Sequence, residues 1–232
     1  MKIVLFLVVG MLSSLFGSEI VAKVKLLHGV VKVKKENSIK KKRVHVDDFL
    51  YKGDMVITSR NASAKILLKD GSTLILDEKS TLHFNSMVSA EQTGGKIFYK
   101  ITSRDKKHHL KVKTPFAIIG IKGTTFIVNA KPKQQSVSLK EGLIGVESIK
   151  GEFELYKKKI LAEFEAYKAK EAADFEAYKA AQNQYQKVAQ TKSFDLKAGN
   201  KISFSGNVVK EDPLEKRESE FKHFEKLLKM MQ

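Results

Sequence analysis

Six histidines are the first candidates for proton transfer or metal binding: His28, His45, His83, His108, His109 and His223. None falls into the His-x3-His or HExxH spacing that sets two imidazoles around one metal. His108 and His109 are adjacent, and neighbours on a strand point to opposite faces. The same parity separates Asp47 from Asp48 and Asp77 from Glu78, so neither pair reads as an acid–base couple. Ser203-Phe204-Ser205-Gly206 lacks the first glycine and the strand-to-helix setting of a nucleophile elbow. Gly120-Ile121-Lys122-Gly123-Thr124-Thr125 has the look of a phosphate loop. A P-loop, however, needs four residues between its glycines and a helix after them. Here β-branched residues follow, so the segment reads as a strand whose glycines permit a bulge or a close backbone approach. There is no cysteine, which removes thiolate nucleophiles, thiolate metal sites and disulfides. These residues predict no catalytic centre, no metal and no cofactor. The chemistry that remains is charge. Lys40-Lys41-Lys42-Arg43 reads as a solvated basic loop able to contact an anion.

The net charge is +17, and residues 20–150 carry most of it, with 26 Lys and Arg against 11 Asp and Glu. Such a field favours anionic partners: envelope glycans, lipid headgroups or acidic proteins. The alternative is a generally basic protein with no specific anionic ligand. Export argues against nucleic acid, and the N-terminus predicts export. Lys2 precedes the apolar run Ile3–Leu12, and small residues Ser13, Ser14, Gly17 and Ser18 follow. That is the layout of a signal peptide over residues 1–18, with a run too short to span a bilayer. The expected compartment is the periplasm or the exterior.

Residues 19–150 read as short strands separated by turn signals every eight to twelve residues. Asp70-Gly71 between two apolar runs predicts a two-residue type I′ hairpin. Residues 151–191 differ. From 152 to 190 there is no Gly or Pro, and Phe-Glu-x-Tyr-Lys recurs every 11 residues. Eleven residues are about three helical turns, so Phe153, Tyr156, Phe164, Tyr167, Phe175 and Tyr178 would line one stripe. The reading is a charged α-helical insert of roughly 58 Å if continuous, or a helical hairpin. Its stripe would pack on a second copy, on its own domain or on a partner. Residues 192–210 read as a returning β-hairpin. Asp212-Pro213-Leu214-Glu215 predicts a helix start in 211–232, with Phe221, Phe224, Leu228 and Met231 on one face. The expected fold is all-β, an antiparallel sandwich or barrel-like domain with a long helical insert and a C-terminal amphipathic helix.

Thr114-Pro115-Phe116-Ala117-Ile118-Ile119-Gly120-Ile121-Lys122-Gly123-Thr124-Thr125-Phe126 resembles the T-P-x-A-x-x-G-x-R-G-T-x-F signature of the FecR family. Lys122 stands where that family usually has arginine. Lys52–Thr58, Ala64–Ser72, Gly94–Tyr99, Val137–Gly142 and Leu196–Gly199 resemble further family segments, so the likeness covers roughly 45–148 and 194–204. Within the signature, Thr114, Pro115, Gly120, Lys122, Gly123, Thr124 and Phe126 are the positions carried over, and their role could be structural. The resemblance implies a non-enzymatic periplasmic signalling module. Family members typically carry a cytoplasmic anti-sigma segment and a transmembrane helix ahead of this domain. Neither is read in this sequence, so direct contact with a sigma factor is not expected. The expected partner is an envelope or sensor protein, with self-association through the insert, or an anionic glycan or lipid headgroup, as further expectations.

Overall fold

A computed structural model describes residues 19–102, 110–158, 185–214 and 219–230. Among these residues eighteen strands join one hydrogen-bonded sheet, which curls into two facing layers. In chain order they are β1 Ile20–His28, β2 Val31–Lys34, β3 Lys41–Arg43, β4 Phe49–Tyr51, β5 Met55–Thr58, β6 Ser63–Leu68, β7 Thr73–Leu76, β8 Thr81–Ser86 and β9 Ser89–Gly94. Then come β10 Lys96–Lys100, β11 Leu110–Lys113, β12 Ile118–Asn129, β13 Ser136–Glu147, β14 Phe153–Lys158, β15 Tyr185–Thr191, β16 Ser193–Lys197, β17 Asn200–Ser205 and β18 Val208–Pro213. A single described helix, α1, spans Ser219–Met230.

The pairings trace two paths. The first layer runs β3-β2-β5-β8-β9-β11-β12-β13-β16. The second runs β4-β1-β6-β7-β10-β12-β13-β17-β18-β14-β15. All pairs are antiparallel except β9–β11 and β14–β18. The long strands β12 and β13 belong to both layers. Residues 118–122 of β12 pair with 143–147 of β13 in the first layer, and 125–129 pair with 136–141 in the second. Between these halves both strands change parity. Ile119 and Ile121 point into the core, and so do Phe126 and Val128, which strict alternation would turn outward. On β13 the same holds for Ile144 and Val146 against Val137 and Leu139. The shift needs bulged residues with left-handed backbone, and Gly123 (φ 60°) and Gly142 (φ 90°) supply them side by side.

One apolar cluster fills the space between the layers, drawing on nearly every strand. Tyr99 stacks on Phe126 with centroids 4.7 Å apart, and its hydroxyl donates to Gln92 Oε1 at 2.9 Å. Gln92 in turn donates to the carbonyls of Gly95 and Val128, both at 3.2 Å, so a buried amide ties the layers together. A second cluster lies on the outer face of the second layer. There Phe221 and Phe224 of α1 cover Ile75, Ile127 and Phe98. Strands β7 and β12 are therefore apolar on both faces, which explains the unbroken runs Leu74-Ile75-Leu76 and Phe126-Ile127-Val128.

Several sequence-based expectations are corrected. The ends of the expected helical insert are strands: β14 is hydrogen-bonded on both sides, to β15 and to β18. Phe153 and Leu155 face the core while Glu154 and Tyr156 do not, a period of two rather than 3.6. Phe153 packs on Phe194 and Phe204 at 5.8 Å. No long helix is present among the described residues, and Phe164, Tyr167, Phe175 and Tyr178 lie outside them. Asp212 and Pro213 end β18 instead of starting a helix, because Val209 and Glu211 are buried in a ladder with β17 and β14. The hairpin of β6 and β7 is not type I′. Asp70 has ordinary φ and only Gly71 is left-handed (φ 83°), with Gly71 N–H donating to the Leu68 carbonyl at 3.0 Å. That is a type I turn closed by a glycine bulge. Lys41-Lys42-Arg43 is a strand rather than a loop. Within the strand-rich region 19–150, β8 and β9 form a hairpin over residues 81–94.

Candidate interaction surface

The signature residues build the junction between the layers. Thr114 is buried, and its Oγ1 donates to the Ala117 carbonyl at 2.8 Å and accepts from Ala117 N–H at 3.0 Å. This closes the turn between β11 and β12, with Pro115 at its exposed corner where a fixed φ suits the bend. Phe116 follows into the core against Phe204, 4.5 Å between centroids. Gly123 makes the parity shift. Thr124 is buried behind it, its carbonyl accepting from Ile101 N–H at 2.9 Å. Thr124 Oγ1 has no hydrogen-bond partner among the described residues. Phe126 begins the second-layer half of the core, and the Lys122 backbone pairs with Leu143.

Gly120 is different, because neither backbone nor packing demands it. Its φ is ordinary, and a Cβ placed on it would meet nothing nearer than the Gly145 carbonyl at 3.8 Å. Gly145 lies directly opposite on β13, also with ordinary φ, its nearest neighbour being Asp195 Oδ1 at 3.8 Å. The two share a cross-strand row on the outer face of the first layer: Lys111 (β11), Gly120 (β12), Gly145 (β13) and Asp195 (β16). With no side chain at its two middle positions, the row sinks into a trough of 430 Å³. It is about 14 Å from Lys111 to Asp195, three strand spacings. Ile118, Glu147 and Ser193 form one bank. Lys111 is cationic at one end, and Glu147 and Asp195 are anionic at the other. None of these three has an ion-pair partner among the described residues. A floor of bare backbone with opposite charges at its ends suits an extended chain.

Sequence reasoning singled out Gly120 but missed Lys111, Gly145 and Asp195. The available signal was glycine inside the otherwise apolar strand Leu143-Ile144-Gly145-Val146, which marks a bulge or a close approach by another chain. The other candidates lie elsewhere. Lys40, Lys41, Lys42 and Arg43 are exposed at the far edge of the first layer, on and before β3. Phe153 is a core residue and Tyr156 a half-buried one on β14. His83 Nε2 lies 3.2 Å from the Gly53 carbonyl and His223 Nε2 3.0 Å from Asp77, while His108 and His109 fall outside the described residues. No group of three His, Asp or Glu side chains among the described residues is placed to hold a metal.

On the opposite side, α1 is held by more than its phenylalanines. Glu220 accepts from Lys96 Nζ at 3.0 Å, lies 3.6 Å from Lys201 Nζ and accepts from Ser138 Oγ at 3.4 Å. Burial pushes its carboxyl up. The Lys96 hydrogen bond and charge, with Lys201 and Ser138, outweigh that and hold it below the ordinary 4.5.

Residues 54–145 match the family described as FecR protein. Two crystal structures of a "putative anti-sigma factor" from Parabacteroides distasonis ATCC 8503 are similar at 12% identity and a TM-score of 0.49. Each alignment covers 72% of this chain and 62% of that one, so the chain spans less than two thirds of that protein. No curated protein matches. The matched segment opens at Asp54, on the turn before β5, and closes at Gly145, on the floor of the trough. The earlier strands and β14–β18 extend the same two layers beyond the segment, residues 54–145, that is similar to the FecR family.

Proposed function

We propose that this chain is a non-enzymatic signalling or envelope-assembly module of the periplasm, exported by residues 1–18, whose FecR domain binds a partner protein. The single observation behind this reading is the Gly120–Gly145 row. Glycine weakens a strand interior by about 0.5–1 kcal/mol relative to alanine. Neither φ nor crowding asks for it here, so two facing glycines are best understood as room for another chain. The partner would lay an extended segment along the trough, presenting an acidic group to Lys111 and a basic one toward Asp195 and Glu147. The match to a periplasmic signalling family supports the same class of partner, an envelope or sensor protein.

The test is a photo-cross-linker placed at Lys111 or Asp195, used in envelope extract and compared with the same probes in a Gly145→Val background. A discrete protein captured by the first pair and lost in the Val background supports the reading. Equal capture with the trough filled overturns it.

A further inference from the structure

The hairpin of β2 and β3 carries a second surface, independent of the partner reading. Ile39 at its tip is 92% exposed, far above the next exposed large apolar side chain among the described residues, Met230 at 57%. The tip is ordered. Ser38 N–H donates to the Lys35 carbonyl at 3.0 Å, while Ser38 Oγ accepts from Lys40 N–H at 3.1 Å and donates to its carbonyl at 3.3 Å. Ser38 thus brackets Ile39 from both sides and throws it outward. Behind it stand Lys40 to Arg43, all exposed. The register sets Lys41 opposite Lys34 and Arg43 opposite Lys32, so like charges face each other across the ribbon. Such pairs destabilise a ribbon, and no carboxylate offsets them: none of these cations has an ion-pair partner among the described residues. Lys35 is committed to Asp54 at 2.6 Å, and Glu36, the one acidic residue of the hairpin, packs against Gly53.

Lysines on an edge strand also block strand-to-strand association. That accounts for Lys42. It does not account for a bare isoleucine held at the tip. We propose that this hairpin docks the protein on an anionic membrane surface, with Ile39 at the hydrocarbon boundary and Lys40–Arg43 among the headgroups. The dimensions agree. A headgroup layer is about 5–8 Å thick, and a strand rises about 3.3 Å per residue, so the charges of Lys40–Lys42 lie within roughly 3–10 Å of Ile39. Each cation near an anionic surface strengthens binding about fivefold, and an inserted aliphatic side chain adds to it.

The protein has no tryptophan, so Ile39→Trp creates a single reporter. Its emission should shift to the blue on adding vesicles of phosphatidylcholine with phosphatidylglycerol, and not with phosphatidylcholine alone. Flotation with the mixed vesicles should weaken severalfold for Ile39→Ser and more than tenfold for Lys41→Glu with Arg43→Glu. Far-UV circular dichroism should stay unchanged, since all three sites are exposed. Absence of wild-type flotation on the mixed vesicles overturns the proposal. So does unchanged flotation of Ile39→Ser. An emission shift of the Ile39→Trp variant that soluble inorganic polyphosphate reproduces would replace it with a general anion patch.

Discussion

Gly142 and Gly145 stand three residues apart on β13, and alanine should act oppositely at the two. At Gly142 φ is 90°, and a Cβ would lie 2.6 Å from the Gly123 carbonyl oxygen and 2.6 Å from Thr124 Cγ2. Left-handed backbone costs alanine about 1–2 kcal/mol. Relieving two overlaps at the junction of the layers should cost about as much again, giving a loss of roughly 2–4 kcal/mol. At Gly145 φ is ordinary and the nearest atom is 3.8 Å away, so Gly145→Ala should gain about 0.5–1 kcal/mol by restricting the unfolded chain. Urea unfolding followed by circular dichroism reads both, as a midpoint shift at constant slope. For a chain of this size the Gly142→Ala loss corresponds to a Tm drop of roughly 4–16 °C. If Gly142→Ala falls within about 0.5 kcal/mol of wild type, the parity shift is not what holds the layers in register. If Gly145→Ala costs as much as Gly142→Ala, the trough glycines are needed for folding, and their reading as a partner seat fails.

Tyr99→Phe should cost about 1–3 kcal/mol, because it leaves the buried Gln92 Oε1 without its donor; adding Gln92→Leu should recover part of the loss, and strict additivity in urea would exclude the bridge. Phe224→Ala removes a ring that is 1% exposed and sits 5.6 Å from Phe98. The loss of about 3–5 kcal/mol should undock α1 first, so hydrogen exchange should rise over Ser219–Met230 while the strands keep their protection. Acid should loosen the same helix. Glu220 is held below 4.5 in the folded state, so its contribution is complete above that value and disappears as pH falls through the lower folded one. Exchange of α1 measured against pH should show this loss, and Glu220→Gln should abolish the step. An unchanged acid profile in the variant would assign the step to another group.

Parts of this were readable without coordinates. Alternation in Val31-Lys32-Val33-Lys34 and Leu110-Lys111-Val112-Lys113 marks strands with one buried face. The spacing of Phe221, Phe224 and Leu228 marks an amphipathic helix, and its phenylalanines are the ones buried. The hairpin at 81–94 is less legible because Ser, Asn, Glu and Gln interrupt it, although its inward residues Leu82, Phe84 and Ala90 do alternate. Gln92 is buried there only because Tyr99 and two carbonyls satisfy its amide.

The sequence alone determined the class: short alternating strands, a basic surface, no recognisable catalytic pattern and the Thr114–Phe126 signature. Tertiary structure decided where those residues sit and what they pack against. Whether Phe153–Lys158 is helix or strand rests on hydrogen bonds to Val208–Glu211, some fifty residues away, that only the folded chain provides. The trough likewise exists only because β11, β12, β13 and β16 come into one register and set Gly120 beside Gly145. Local propensity acts over a few residues, whereas ladder pairing and shared burial act between segments far apart in the chain. Where the two conflict, the satisfied backbone of a central strand outweighs a helical preference of a few tenths of a kcal/mol per residue.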